Sequence, residues 1–470
     1  MPTFPCRLLL LSLPLAFAGC ASLQPDAGLG RVQQDLQTRL PAAALPALSW
    51  DKTPQQDTAR RAQIAALLKQ PLSADTAVRV ALLDNGELQA RFAELGVSDA
   101  ERVIASRLPN PLLALARQTQ GGNVEIDRGV VFDLLSLLSL PARRDIASRR
   151  YEEARLATAA AVMELATATR KAYYDAVAAA QTTRYLGQVQ EAADAAAELA
   201  RNMAKVGNFT ERDALREELF YAEASTQLAQ ARLAETATRE ALIRRMGLWG
   251  MQTAFTLPER LPDLPGAPPQ LGEVEASALR QRLDVQMAKA EIQGLAQSLG
   301  LTHATRFVNV LDAGYLNNSY NGQPRQTGAE VQLLLPVFDW GDARSARAEA
   351  LYLQALGRTR DLAVRARSQA REAYVRLRTA YDVATQYRRV IVPLRQRIGA
   401  ENQLRYNGML ISVFELLSDA RAQILAVNGA IRAQRDYWDA EADLQNALAG
   451  AAPRFSAQEV ARPLADVPNH

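Results

Sequence analysis

The sequence predicts a mainly α-helical protein with a minor β portion, and three observations carry that expectation. Two runs, from Pro141 to about Val206 and from Gly341 to about Asn407, are almost free of helix breakers. Short extended segments precede each run, and the whole series of landmarks occurs twice, at a period of about 200 residues. A composition 48% hydrophobic but only 6% aromatic fits long Ala- and Leu-rich helices better than a thick globular core. The formal charge of +3 is spread over faces of mixed sign with no basic block, so nucleic acid is not an expected partner.

The opening "MPTFPCRLLLLSLPLAFAGCAS" has Arg7, an apolar stretch from Leu8 to Ala18 and a small-residue exit. That is the layout of an export signal over residues 1–19, too short for a membrane span. Phe17-Ala18-Gly19-Cys20 resembles the lipobox of bacterial lipoproteins, with Phe17 where Leu is usual. It implies that Cys20 is diacylated and begins the mature chain. The plainer alternative is an ordinary signal whose exit happens to contain a cysteine. Because Cys6 would leave with the signal, Cys20 has no partner for an internal disulfide.

After a lipidated segment (20–65), a first repeat (66–250) and a second (271–450) flank the Pro-rich linker 251–270, and a tail follows (451–470). In the first repeat "LSADTAVRVALLDNGELQARFAELG" reads as an amphipathic helix interrupted at Asn85-Gly86; its counterpart "LGEVEASALRQRLDVQMAKAEIQGLAQSLG" is interrupted from Arg282 to Asp284. Extended segments are predicted near "NPLLALARQT" and "DRGVVFDLLSLLS", then at "RFVNVLDAGYLNNSY" and "TGAEVQLLLPVF". Residues 327–338 alternate, with Ala329, Val331, Leu333 and Leu335 on one side. Periodicity over 126–138 is blurred. Lengths of about 9 to 14 residues suit tilted membrane strands, and a soluble hairpin cap is the competing reading. Long helices are then predicted from Pro141 and from Gly341, which stand at corresponding places. Each is about 65 residues, roughly 100 Å at 1.5 Å per residue. Each meets a break, "KVGNFTERDALREE" or "YNGMLISVFELLSD".

The doubled unit of helix, two strands and long helix, the segment "LLLPVFDWGDARSARAEA" with Pro336, Phe338 and Gly341 before an Ala/Arg-rich helix, and the two breaks together resemble the TolC-type outer-membrane efflux factor family. The resemblance covers essentially the whole mature sequence. It implies a homotrimer in which four strands per protomer join a 12-stranded membrane β-barrel above a coiled-coil helical tunnel. It also implies an outer-membrane location, since Ala21 and Ser22 lack the Asp that retains lipoproteins at the inner membrane. The expected function is a passive exit duct for drugs, solvents or metal ions driven by an inner-membrane transporter through a periplasmic adaptor. The breaks and "RFVNVLDAGY" look most like the heavy-metal and solvent subgroup. A periplasmic coiled-coil scaffold or adaptor lipoprotein is the alternative, although no lipoyl-like β module is visible in the sequence.

In the family the long helices end in turns at the periplasmic mouth that carry a glycine, a hydroxyl and an acid at fixed spacing. Gly207, Thr210 and Asp213 fit. In the second turn, after Tyr406, Met409 stands where Gly is usual, with Ser412 and Glu415 following; Ser418 occupies a site where the family can carry an acid, and Asp419 lies one step on. Gly408 comes one residue early, which predicts a locally different turn. Rings of Asp213 and Glu415 would favour cations or act as latches, with Arg405 and Tyr406 as candidate partners. The plainer role is capping, with Thr210 and Ser412 as N-caps and the acids completing capping boxes. His303 reads as a packing residue; Phe338 and Trp340 read as an interfacial belt or as packing. No nucleophile elbow, phosphate loop or metal cluster is present in the sequence, so neither an enzyme nor a cofactor is expected.

Overall fold

The computed structural model describes residues 22–268, 270 and 272–450. The expected signal, Cys20 and the tail 451–470 lie outside the described residues. Helices α1 (Leu29–Gln37), α2 (Pro54–Leu67), α3 (Ala74–Asp84) and α4 (Gly86–Ala105) lead to strands β1 (Leu112–Gln120) and β2 (Asn123–Asp133), then to α5 (Leu134–Lys205) and α6 (Glu211–Met246). The second series runs α7 (Val274–Gln281), α8 (Leu283–Ala304), β3 (Leu311–Tyr320), β4 (Gln326–Leu333), α9 (Asp342–Gln386), α10 (Val392–Asn407) and α11 (Val413–Ala449).

The chain divides into two compact units. The first gathers residues up to Leu29 with Phe92–Thr158 and Val285–Ala363. It holds one sheet in the order β1-β2-β3-β4, antiparallel throughout. Gly121 and Gly122, at φ 58° and 88°, make the tight turn between β1 and β2, a geometry that a two-residue hairpin requires and glycine supplies without strain. The chain beyond Ser22 is pinned in this unit: Gln24 donates its backbone N–H to Asp99 Oδ2 at 2.8 Å, and the Tyr151 hydroxyl donates to the Ala27 carbonyl at 3.0 Å.

Strand ends depart from the sequence expectation in two places. Residues 134–138 are helical, because Leu134, Leu135, Leu137 and Leu138 follow helical spacing and Asp133 Oδ1 accepts the Ser136 N–H at 2.7 Å, starting α5 early. Pro141 therefore lies inside α5 and does not start it. Strand β4 stops at Leu333, short of Phe338. Pro336 has no N–H for a ladder, so Phe338 and Trp340 stand in a connecting segment with the Phe338 side chain fully exposed. Gly341 does adjoin α9: its φ is 71°, and an added Cβ would fall 2.7 Å from the Arg306 carbonyl. Pro141 and Gly341 are thus not equivalent.

The second unit gathers Gly30–Arg91, Ala159–Asp284 and the chain from Val364 onward. Its core includes Ile64, Leu72, Val80, Leu242, Met246 and Phe255. An aromatic series joins three helices: Tyr173 to Tyr174 at 5.4 Å on α5, Tyr174 to Trp438 of α11 at 5.4 Å, Trp438 to Tyr437 at 5.1 Å, and Tyr437 to Tyr381 of α9 at 5.8 Å. The helix interruptions are packing devices. Gly247 (φ 75°) ends α6 where an added Cβ would lie 2.7 Å from the Asp84 carbonyl oxygen, at the α3–α4 break. Gly450 (φ 73°) ends α11 where an added Cβ would lie 2.6 Å from Asp284 Oδ1, at the α7–α8 break. The buried Arg282 guanidinium pairs with Asp284 at 3.0 and 2.6 Å and donates to the Ala447 carbonyl at 3.0 Å, so neither buried charge is left uncompensated. The second long run is not one α-helix: a π-helical segment, Tyr387–Ile391, separates α9 from α10. It ends two residues before Pro393, which cannot donate to the carbonyl of the preceding turn.

Candidate functional site

The two turns between long helices belong to the second unit, and they can be compared atom by atom. At the first, α5 ends at Lys205, and Gly207 takes φ 76°. Its N–H reaches the Ala204 carbonyl at 3.0 Å, while the Asn208 N–H reaches Met203 at 3.0 Å. Such a pattern satisfies the last helical carbonyls and needs a left-handed residue. Thr210 then caps α6, its hydroxyl accepting the Asp213 N–H at 3.2 Å.

The second turn has the same construction. Met409, not Gly408, takes the left-handed conformation, at φ 59°. The Met409 N–H reaches Tyr406 at 2.9 Å and the Leu410 N–H reaches Arg405 at 2.8 Å. Ser412 caps α11, accepting the Glu415 N–H at 3.4 Å. The expectation of a different turn is therefore corrected: Gly408 has an ordinary φ of −83°, and the strain falls on a methionine.

The acids do not close full capping boxes. In both turns only the bond from cap hydroxyl to backbone is formed among the described residues; Asp213 faces Arg216 at 3.8 Å, and Glu415 is exposed. Asp419 is occupied, accepting from Asn402 Nδ2 at 2.7 Å and lying 3.7 Å from Arg395. Arg405 reaches Glu401 of its own helix at 3.3 Å, and the Tyr406 side chain is half-buried. Just beyond the first turn is a residue that sequence reasoning missed. Glu217 is buried on the stripe of Ala214, Phe220, Ala224 and Leu228, with Oε2 unbonded. Burial pushes its carboxyl up, against the opposing pull of Arg421. A carboxylate on an apolar helical stripe is a signal the sequence did contain. Arg421 itself bridges to Glu223 at 3.2 Å and lies 5.2 Å over the Phe220 ring.

The sheet of the first unit is two-faced, and its register shows how. Pairings such as Ala116↔Asp127, Glu125↔Tyr320, Asp133↔Asp312 and Gly314↔Glu330 put Glu125, Asp127, Asp133, Asp312 and Glu330 on one face. Small residues accompany them, with Ala114, Gly129, Leu316 and Gly328 forming one row. Leu113, Val130, Tyr315 and Ala329 form a row on the opposite face, followed by Phe132, Ala313 and Val331, then Leu311 and Leu333. Every acid of the four strands lies on the first face; the strand arginines, Arg117 and Arg128, lie on the second. Among the described residues, strands β1 and β4 have no neighbour on their outer edges. Among the described residues no helix is long and apolar enough to cross a membrane, and no His, Cys and acid cluster is arranged to hold a metal.

No protein-family model and no curated protein matches the sequence. Solved structures match the fold. CusC, described as forming a transmembrane channel, aligns with a TM-score of 0.68 and 14% identity, over 83% of this chain and 92% of that one. The architecture is that of the outer-membrane channels. The outer-membrane channel OprN aligns at 0.68 and 17% identity over 92% of this chain and 96% of that one. The Campylobacter jejuni outer membrane channel CmeC aligns at 0.67 and 17% identity over 82% and 88%.

Proposed function

We propose that this protein is the outer-membrane exit duct of a tripartite efflux system, conducting solutes passively after an inner-membrane transporter and periplasmic adaptor deliver them. The observation that carries the reading is the four-stranded sheet with one polar, acidic face, one apolar face and two unpaired edges, in the fold of outer-membrane channels. An open edge in lipid leaves backbone groups unsatisfied at several kcal/mol each, so the sheet must be completed by other copies. Three copies give a 12-stranded barrel whose acidic face lines water and whose apolar face meets acyl chains. Cys20 anchors the chain by lipidation, only a few residues before the segment pinned by Gln24 and Ala27. At the turns, Asp213 and Glu415 ring the periplasmic mouth, and Asp419 latches α10 to α11. Driving energy comes from the partner transporter, and the duct performs no catalysis.

The test is reconstitution. The detergent-extracted protein should migrate as a heat-modifiable trimer and give discrete conductance steps in a planar bilayer. A monomer that becomes soluble once Cys20 is removed, and that gives no conductance, overturns the reading.

A further inference from the structure

The segregation of charge across the sheet leaves Arg117 and Arg128 on the apolar face without a partner. Arg128 pairs in register with Leu115 and Arg117 with Ile126, so they are diagonal neighbours on adjacent strands, roughly 7–8 Å apart at the backbone. Neither makes a hydrogen bond or ion pair among the described residues, and Arg128 Nη1 is enclosed yet unbonded. Asp127 adjoins Arg128 in sequence but points to the other face, as alternation along a strand demands.

Their level in the sheet is specific. The row of Leu113, Val130, Tyr315 and Ala329 is the one met just before the arginines on going towards the hairpin turns, and beyond them the Thr119 and Val124 row is uncharged again. In the next row Arg128 shares its level with Asn317 and Thr327, and beyond it Arg117 stands near Ser319. The outer face thus passes from hydrocarbon-compatible side chains to two rows in which guanidinium, amide and hydroxyl donors stand beside Leu115 and Ile126, with no carboxylate among them. At a membrane boundary that combination complements one group above all: guanidinium forks bind phosphate oxygens bidentately, and hydroxyls and amides supply further donors. A guanidinium next to hydrocarbon also needs an anion that a water-filled surface would not have to provide.

The geometry points to a binding surface for phosphate-bearing lipid head groups, formed by Arg117 and Arg128 at the edge of the apolar belt nearest the hairpin turns. The inference rests on the membrane reading proposed above. The lipid's phosphate is held by the arginines while its acyl chains lie along the Leu113 and Val130 row.

The probe is an equimolar mixture of phosphatidic acid and phosphatidylcholine, offered to the full-length, detergent-extracted protein and counted as bound adducts by native mass spectrometry. Wild type should prefer phosphatidic acid by about fivefold for each arginine engaged. Arg117→Gln with Arg128→Gln should bring the two lipids near parity, and Arg117→Lys with Arg128→Lys should retain part of the preference. Equal binding in wild type, or an undiminished preference in the Gln double variant, overturns the inference. So does loss of the preference with inorganic phosphate beyond the loss caused by chloride at equal ionic strength, which would mark a site for free anions. Should the Gln variant fail to assemble, a salt series on wild type decides: the preference must fall as salt rises, and an unchanged one refutes the arginine site. Failure of the membrane reading looks different, since neither lipid would then be retained.

Discussion

Replacing Asp439 with Asn should remove a pH-dependent weakness from the helical unit. Asp439 lies on α11 beside Asp175 of α5, and the nearby bases are committed elsewhere: Lys171 is 2.9 Å from Asp443, and Arg435 is 2.6 Å from Asp436 and 3.7 Å from Asp175. Asp439 Oδ1 is left without a hydrogen bond. Burial, with Asp175 adding repulsion, pushes its carboxyl up to about 7 against the pull of Lys171 and Arg435. A folded-state pKa raised from the ordinary 3.8 means that the folded protein binds the extra proton between about pH 4 and pH 7. Stability from this group is full below about pH 4 and falls as pH rises through 7. A shift of about three units sets a ceiling of about 4 kcal/mol, and water reaching a half-buried carboxyl reduces that to on the order of 2 kcal/mol. Thermal unfolding of the extracted protein from pH 5 to pH 9 should show Asp439→Asn more stable at alkaline pH with a flatter profile, the residual slope coming from Asp175, which burial also raises. If the Asn variant loses as much Tm over that range as wild type, the reasoning fails.

Met409→Gly should stabilise the second turn by about 0.5–1 kcal/mol, the relief of a left-handed methionine less the entropy of glycine, while Gly207→Ala should weaken the first by about 1 kcal/mol; hydrogen exchange at Leu410 and Asn208 reads both. Asp213→Ala with Glu415→Ala should lower cation preference in single-channel recordings while changing stability by less than about 0.5 kcal/mol, because the cap hydroxyls remain. Unchanged selectivity would leave those acids no role at the mouth. Neutralising Glu125, Asp127 and Glu330 to their amides should shift the reversal potential under a salt gradient towards non-selectivity with the turn acids intact. A shift of zero would mean that the acidic face does not line the pore.

Long helices and paired breaks were legible because scarcity of Pro and Gly over scores of residues has few other meanings. Strand ends were not. Leu134 to Leu138 satisfy both an extended and a helical reading, and only the cap from Asp133 to Ser136 decides between them. Residues 334–338 are an unbroken apolar run that looks like a continuing strand, but Pro336 has no N–H for a ladder. The π-helical segment before Pro393 left no mark that period analysis detects. At the turns, the spacing from hydroxyl to acid marked both helix starts, whereas the glycine pattern misled: backbone geometry follows position, so Met409 bears the conformation that Gly207 takes freely. The partners of Asp419 and the burial of Glu217 depend on which helices adjoin, which one sequence does not specify.

For the duct proposed above, the number of copies can be argued from what fills the acidic face. A barrel of eight strands, which two sheets would make, packs its interior with side chains. Here one complete interior row is Ala114, Gly129, Leu316 and Gly328, and the remaining rows are rich in carboxylates and amides. Glycine and alanine cannot fill that interior, and carboxylates brought together in a narrow dry lumen would be desolvated against like charges. In the duct proposed above, a wider, water-filled barrel would resolve both conflicts, and three sheets are the smallest closed ring that would supply it. Such closure would pair β1 of one copy with β4 of the next. Leu113→Cys, combined in turn with Thr327→Cys, Ala329→Cys or Val331→Cys, should cross-link on oxidation into species of three chains, with dimers as partial products. All four positions share the apolar face, so one combination must come within disulfide reach. Cross-linking that stops at two chains under complete oxidation would exclude the threefold ring.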